Sequence, residues 1–214
     1  MNDFLTVRLN GNEISMMKLN GTIIYQKGII PEPEIPKYVV GEFYNNTKIT
    51  EVKTMVDSSH TNLRNMFGNC TNLVSVNTED WDTRNVVNME NMFYNCHSLV
   101  SLDLSNWYVT NVGGENSMLW MFYNCYSLET LDLSNWSLAG AADLHYAFHN
   151  CNSLHTIRLD NCDQFTIQLI IESNGFPTGV IEGVTRKIYV KKANIQTTVG
   201  LLKPPNNWEF VYVD

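Results

Sequence analysis

The sequence predicts an α/β repeat solenoid, in which a ladder of parallel strands faces short helical turns, preceded by a small three-stranded antiparallel β meander. Two observations lead to this fold class. Four cysteines occupy the same place in four copies of one short sequence, and an alternating segment cut by two Asn-Gly pairs precedes them. Periods of this size are typical of solenoids, in which each unit buries its apolar side only against its neighbours. The four cysteines are Cys70, Cys96, Cys125 and Cys151.

The copies read MFGNCTNLVSV, MFYNCHSLVSLDLSNW, MFYNCYSLETLDLSNW and AFHNCNSLHTIRLDNC. Each contains an anchoring phenylalanine, and successive copies of it are 26, 29 and 26 residues apart. These phenylalanines are Phe67, Phe93, Phe122 and Phe148. A fifth, weaker copy begins at Phe43, with Asn46 in the cysteine position. Five units are therefore expected between residues 39 and 165.

Two shorter modules precede the repeat. Residues 1–28 contain three alternating runs, FLTVRL, EISMMKL and TIIYQK, separated by Asn10-Gly11 and Asn20-Gly21. Asn-Gly between alternating runs is a strong hairpin signal, because both central residues of a type I′ turn need a positive φ. Residues 29–38 hold three prolines and are predicted to be a stiff, extended connector.

Within each unit a helical spacing gives way to a strand pattern. Met89, Met92 and Phe93 follow the i, i+3, i+4 spacing of one helical face, and the L-x-x-L-x-L strand pattern comes next. The spacing of 29 reflects three extra residues around Gly113-Gly114, which are expected to bulge outward. Residues 166–214 are predicted to form a β cap, with strands at 186–191 and 208–213.

Composition argues against several function classes. The formal charge of −8 and the pI of about 5.1 argue against a nucleic-acid or anionic-membrane partner, which would need a basic face. No apolar run reaches the roughly 18 residues that cross a bilayer, so no membrane insertion is expected. The first residues, MNDFLTVRLNGNEIS, lack a basic stretch followed by an apolar one, so no signal peptide is expected.

The cysteines are expected to be free thiols in the interior. Five cysteines could also form a disulfide framework. The repeat favours the first interpretation, since four of them share one inward position and Cys162 occupies the position of Trp81, Trp107 and Trp136. A chain folded in a cytoplasm would also keep its thiols reduced.

No catalytic, cofactor or metal site is predicted. His145 and His149 have the i, i+4 spacing of a zinc pair, but they fall at variable outward positions without a third ligand, so solvated side chains are favoured. Asp103 and Asp132 could form a cation ladder, although turn bonding is favoured. The inward cysteines and the absence of a Gly-x-Ser-x-Gly elbow argue against an enzyme.

A set of aromatic residues outside the predicted core is the candidate ligand or partner surface. Equivalent positions of a solenoid line up, so these rings should form stripes that could stack on sugars or anchor a protein. The alternative is that the rings cover apolar stems or pack between neighbouring units. The candidate residues are Tyr44, Tyr94, His97, Tyr108, Trp120, Tyr123, Tyr126 and His149.

The string NMFYNCHSLVSLDLSNW at 91–107 closely resembles the BspA-like leucine-rich repeats of bacterial and phage surface proteins. The resemblance covers about residues 43–162 and implies an α/β leucine-rich-repeat solenoid used for adhesion or display, with no catalytic residues. The tail IYVKKANIQTTVGLLKPPNNWEFVYVD looks like the segment that closes such arrays. The opening VRLNGNEISMMKLNGTIIYQK is similar to hairpin modules of phage tail and appendage proteins.

Together these features lead us to expect a phage virion protein of the tail, baseplate or head appendage. The N-terminal meander would bind other virion proteins, and the array, present in many copies, would attach weakly to a host surface protein or glycan. Such a protein would be made in the host cytoplasm and be localised in the virion. The alternatives are a BspA-type adhesin at a bacterial cell surface and a purely structural virion decoration protein.

Overall fold

The structure, a computed structural model, describes residues 43–54, 56–138, 142–197 and 200–214, together with the backbone of three strands before residue 26. These strands pair antiparallel in the order β1-β2-β3. The two predicted Asn-Gly turns and the proline-rich connector lie outside the described residues. The strands are β1 (Asp3–Leu9), β2 (Asn12–Leu19) and β3 (Thr22–Tyr25).

Each repeat unit contributes one strand of three residues to a parallel ladder, which confirms the predicted repeat solenoid. In register, Leu102 of one unit lies opposite Leu131 of the next, and Leu131 lies opposite Ile157. These central residues are buried while their neighbours in the strand point outward, as the period of two in a strand requires. The strands are β4 (Glu51–Lys53), β5 (Ser75–Asn77), β6 (Ser101–Asp103), β7 (Thr130–Asp132) and β8 (Thr156–Arg158).

The ladder is interrupted once. Strands β4 and β5 pair with each other, and β6 begins a second sheet. The two sheets are still linked, because the Val100 N–H donates to the Val74 carbonyl (3.4 Å) and the Thr78 hydroxyl donates to the Asp103 carbonyl (2.8 Å). The weaker leucine pattern around β5 therefore coincides with a break in strand pairing and leaves the stack continuous.

The core is organised as columns of equivalent side chains. The anchoring phenylalanines stack from unit to unit with ring centroids 5.4, 5.4, 5.7 and 5.6 Å apart. Apart from the half-buried Phe43 they are fully buried. Trp81 and Trp107 stack in a second column at 5.2 Å. Large rings bury much apolar area, so these columns carry a large share of the stabilisation of the array.

The segments predicted to be short helical turns are hydrogen-bonded turns instead, and that prediction is wrong. The Phe93 N–H donates to the Met121 carbonyl of the next unit (2.9 Å), whereas the Tyr94 N–H donates to the backbone carbonyl of Asn91 in its own unit (3.1 Å). Asn91 and Asn95 have left-handed φ values of 56° and 58°. Left-handed residues interrupt a right-handed helix. The turns therefore bond partly along the array, as strands do.

The three-residue insertion bulges outward, as predicted. Gly114 has a φ of 94°, which favours glycine, and it is exposed. Val112 before the bulge and Ser117 after it are both buried. The inward register is therefore kept on the two sides of the insertion.

Beyond the fifth unit, two longer strands, β9 (Arg186–Lys191) and β12 (Trp208–Val213), extend the ladder in the order β12-β9-β8-β7-β6, all parallel. They confirm the two strands predicted for the cap. The sequence analysis missed α1, which begins after Asp163, whose carboxylate accepts a hydrogen bond from the Thr166 N–H (2.7 Å). The elements are α1 (Gln164–Ile171), β9 (Arg186–Lys191), a 3₁₀ helix (Lys192–Ile195), β10 (Gln196–Thr197), β11 (Gly200–Leu201) and β12 (Trp208–Val213).

A buried arginine holds the end of the array. The Arg186 guanidinium donates to the carbonyls of Gly179 (2.9 Å), Asn152 (2.9 Å) and Leu154, and it lies over the Trp208 ring at 5.4 Å. Burial lowers the pKa of this guanidinium from its usual value. Of the three acceptors only the Leu154 carbonyl belongs to a buried residue, and a buried carbonyl is costly when unpaired. Within the described residues, no helix is long and apolar enough to cross a membrane.

Candidate functional site

The five cysteines belong to the framework of the array. All five are free and buried, as predicted. Each of the four repeat cysteines donates its thiol to the phenylalanine carbonyl of the preceding unit, at 3.0 to 3.2 Å. Burial raises the pKa of Cys70, Cys151 and Cys162 to about 12. A thiol needs its thiolate form to act as a nucleophile, so these cysteines suit structural bonding and not catalysis.

An asparagine ladder lies one residue before the cysteines. The Asn95 side chain donates to the Asn69 side chain (2.7 Å) and accepts a hydrogen bond from Asn124 (2.8 Å). The same bond joins Asn45 to Asn69 and Asn124 to Asn150. All five asparagines have a left-handed φ, which asparagine tolerates better than most residues. The ladder therefore fixes the position of the residue that precedes it, which is aromatic in every unit except the one with Gly68.

These preceding residues form a row of stacked rings on the outer side of the turns. Tyr94 stacks on Tyr123 with centroids 5.5 Å apart, and Tyr123 stacks on His149 at 5.0 Å. All three are half-buried, so the interpretation that such rings pack between units holds for this part of the set. The row is interrupted at Gly68, which has no side chain. A larger residue there would be crowded, because its Cβ would lie 2.9 Å from the ring of Tyr44. The stacked row therefore begins at Tyr94.

Two further rings stand at a large angle to this row. Trp120 lies 6.3 Å from Tyr123 with an interplanar angle of 62°, and Tyr146 lies 5.7 Å from His149 at 89°. Each is 38% exposed. Both occupy the position two residues before the phenylalanine, where Asn65 stands in an earlier unit.

The two rings also share an unusual backbone conformation. Trp120 and Tyr146 have φ values of 56° and 54°, like Asn65 and Asn91 at the same position. A left-handed φ is uncommon for a bulky residue and costs roughly 1–2 kcal/mol. At these two units the array carries large rings where asparagine would fit with less strain.

Together the row and the two angled rings enclose what we call the aromatic cleft. It has a volume of about 240 Å³ and is lined by Tyr94, Trp120, Tyr123, Tyr146 and His149. Ligand pockets for drug-sized molecules usually measure ~300–1,000 Å³. The aromatic cleft therefore suits one small ring or one compact head group.

The remaining candidates lie away from the aromatic cleft. His97 and Tyr126 form a separate pair at 5.0 Å. Tyr44 covers Gly68, and Tyr108 is 62% exposed beside the buried Trp107, on the strand side of its unit. The structure thus brings four of the eight predicted residues together and leaves the other four outside.

Tyr146 was missed by the sequence analysis. Its signal was present, because the position two residues before the phenylalanine reads Asn65, Asn91, Trp120 and Tyr146 in successive units. In two successive units an aromatic residue replaces the asparagine at this position, which indicates that the surface differs there. A comparison of that position across units would have found it.

The candidate metal residues serve the turns. The Asp103 carboxylate accepts a hydrogen bond from the Ser105 N–H (3.0 Å), and Asp132 accepts one from Ser134 (2.9 Å), as turn-bonding aspartates do. His145 is largely exposed, 3.4 Å from Asp143. Across the described ranges, the His, Cys, Asp and Glu side chains form no group of three that could hold a metal ion.

A comparison with known families gives one match. Residues 39–162 match the family model described as "Mycoplasma protein of unknown function, DUF285". This range is more than half of the chain and coincides with the five repeat units. No curated protein and no solved structure gives a significant match.

Proposed function

The chain belongs to the DUF285 family, and we propose that it is a non-enzymatic binding protein whose repeat array presents the aromatic cleft to a partner. One observation carries this proposal. Trp120 and Tyr146 are exposed rings in a strained left-handed conformation, at a position where earlier units have asparagine. Strained residues cluster at binding sites, where the function offsets their cost.

The framework supports a binding role over a catalytic one. The five buried thiols have raised pKa values, and each is occupied by a bond to a backbone carbonyl. The exposed rings of the aromatic cleft offer contact area and few reactive groups. Exposed aromatic residues of this kind are typical anchors at interfaces.

Within this proposal, the finer assignment is a phage virion protein of the tail, baseplate or head appendage. The alternating N-terminal segment supports it as an attachment module, and the proline-rich connector separates that segment from the repeat array that would serve for display. The meander would join other virion proteins, and many copies of the array would contact a host surface protein or glycan. Weak individual contacts then suffice, because linked copies bind with a high effective concentration.

Cell binding of the full-length chain tests the binding role. We expect labelled protein, clustered on beads to restore avidity, to bind its host bacterium, and the double variant Trp120→Ala/Tyr146→Ala to lose at least about tenfold in bound label. Tyr108→Ala is the matched control, because it removes an exposed ring outside the aromatic cleft. Equal binding by the double variant and the wild type would contradict the role of the aromatic cleft.

Mass spectrometry of purified phage particles tests the virion assignment separately. The chain should be present at a fixed copy number per particle and remain after washing with high salt. If the chain is instead found in the envelope of uninfected bacteria, the alternative of a BspA-type cell-surface adhesin replaces the virion assignment. Particles whose array carries the double variant and still adsorb normally would favour a purely structural decoration protein.

A further inference from the structure

The sequence around the aromatic cleft has an excess of negative charge. No lysine or arginine occurs between residues 85 and 157, a stretch that contains six carboxylates. All five residues that line the aromatic cleft fall within this stretch. The carboxylates are Glu90, Asp103, Glu115, Glu129, Asp132 and Asp143. Arg64 and Arg158 from outside the stretch pair with Glu90 and Asp132, and the remaining excess of negative charge favours cations over anionic ligands.

Two carboxylates near the turns, Glu90 and Asp143, already have interaction partners. Glu90 forms an ion pair with Arg64 at 3.1 Å, and Arg64 comes from the unit before this stretch. Asp143 accepts a hydrogen bond from the His145 N–H (2.9 Å) and lies 3.4 Å from the His145 ring. The charge of Glu90 is offset by its arginine partner, and neither carboxylate lines the aromatic cleft.

The lining decides which kind of cation fits. It consists of four aromatic residues and one histidine, with no carboxylate and no side-chain amide. Three tyrosine hydroxyls and one histidine nitrogen can accept hydrogen bonds there, but no carboxylate lines the aromatic cleft to pair with the N–H donors of an ammonium or guanidinium group. A quaternary ammonium group has no N–H donor. An aromatic ring attracts such a charge through its face, so the attraction depends mainly on Trp120 and Tyr146, because Tyr123 has a ring stacked on each of its faces.

The geometry agrees with a compact cation. The Tyr94–Tyr123–His149 row is nearly parallel, whereas Trp120 makes angles of 42° with Tyr94 and 62° with Tyr123. Tyr146 stands at 89° to His149. Trp120 and Tyr146 are one unit apart at equivalent positions. Walls of different orientation around about 240 Å³ suit a roughly spherical head group better than a flat one.

We propose that the aromatic cleft binds a quaternary ammonium group, as carried by choline-type compounds. This inference rests on the proposed binding function and names the chemistry that the partner surface would present. Trp120 and Tyr146 supply the exposed walls, and Tyr94, Tyr123 and His149 supply the inner row. The carboxylates of residues 85–157 raise the local concentration of cations.

The test is a titration of the full-length protein with tetramethylammonium and with choline, followed by tryptophan fluorescence and by calorimetry. Trp120 is 38% exposed, whereas the other four tryptophans are at most 6% exposed, so a fluorescence change on binding reports on the aromatic cleft. We expect saturable binding, and about tenfold weaker binding of 3,3-dimethylbutan-1-ol, the uncharged analogue of choline, because the cation–π attraction is lost. Equal affinity for the uncharged analogue would overturn the proposal.

Two further ligands and two variants separate the alternatives. Butylammonium or methyl glucoside binding more tightly than tetramethylammonium would assign the aromatic cleft to N–H-bearing cations or to sugars, and so overturn the proposal. Tyr146→Asn, which restores the asparagine of earlier units, should lose binding by calorimetry, and Tyr108→Ala should keep it. Retained binding by Tyr146→Asn would also overturn the proposal.

The cell-binding assay distinguishes this inference from the function on which it rests. Should cells bind through the aromatic cleft while no ammonium compound binds or competes, the ligand class is wrong and the binding role stands. Should choline bind the aromatic cleft while the double variant binds cells as well as the wild type, the ligand class stands and the proposed function is wrong.

Discussion

Phe93 and Tyr94 are consecutive residues, yet they belong to two columns that behave differently along the array. The inward column has phenylalanine in every unit, with centroids 5.4 to 5.7 Å apart. The outward row changes from tyrosine to glycine, back to tyrosine and then to histidine. The inward position is constrained by close packing against both neighbours. The outward position is less constrained by packing, so its residue type changes from unit to unit.

Alkaline pH should lower the free energy of unfolding through the inward side of the array, because the five buried thiols respond together. We expect this to be the largest difference between the inward and outward sides. A thiol in the unfolded chain ionises near its ordinary pKa of 9.0, whereas burial raises the pKa of Cys151 to about 12. Between these values the unfolded state releases protons that the folded state retains. The free energy of unfolding should therefore be fully retained below about pH 9 and fall as the pH rises towards 12.

Urea unfolding midpoints followed by circular dichroism from pH 7 to pH 11 measure this effect. Cys151→Ala should show a shallower decline than the wild type, because one of the buried thiols is removed. Tyr126→Phe is the control for the outward side and should follow the wild type. Midpoints that do not change with pH would contradict the burial of the thiols.

The next largest effect should come from the inward column. Phe93→Ala removes a fully buried ring that stacks on both neighbours, and such substitutions destabilise by about 3–5 kcal/mol. Tyr108→Ala removes a ring that is 62% exposed, and surface substitutions usually change stability by less than about 0.5 kcal/mol. Chemical denaturation of both variants compares them. A similar loss for the two would mean that the columns are not the stabilising element.

The asparagine ladder lies between the two sides and should give an intermediate effect. Asn95→Ala forces alanine into a left-handed φ, which costs about 1–2 kcal/mol, and removes two ladder bonds worth about 1 kcal/mol each. Asn95→Gly removes the same bonds but tolerates the φ, so about half of the loss should remain. Unfolding free energies of the two variants separate strain from bonding. An alanine variant no less stable than the glycine variant would argue against backbone strain.

The smallest effect should have the opposite sign. Trp120→Asn places asparagine at a left-handed position that Asn91 occupies one unit earlier, so the free energy of unfolding should rise by up to about 1 kcal/mol. The same change should reduce binding at the aromatic cleft. Thermal unfolding together with ligand calorimetry measures both quantities. A variant that is less stable than the wild type would show that the ring contacts of Trp120 outweigh the strain of its left-handed backbone.

Sequence analysis predicted the parts of the fold that repeat. Leu102, Leu131 and Ile157 lie in register on parallel strands, and the cysteines form a column, because each position recurs with the same burial requirement. The helical turns were predicted wrongly. The spacing of Met89, Met92 and Phe93 fits a helix and also fits a turn, and the difference depends on left-handed φ values that apolar spacing does not report.

Outside the repeat, prediction was weaker. The two cap strands were found from their alternation, whereas α1 was missed because its eight residues contain a nearly continuous apolar run without a clear period. At the aromatic cleft, four of five lining residues were among the predicted set. The sequence could not separate them from Tyr44, His97, Tyr108 and Tyr126, because a shared position in the repeat does not state which rings meet.

By itself, the sequence determined the number of units, the residues that face inward and the sign of the charge around the turns, because these depend only on recurring residue types. The tertiary structure decided which rings share the aromatic cleft. Trp120 and Tyr146 are 26 residues apart in the chain, and they become neighbours only because each unit lies on the previous one at the spacing of two stacked rings. Their orientation depends on a left-handed backbone, which the asparagine ladder and the bonds between units hold in place.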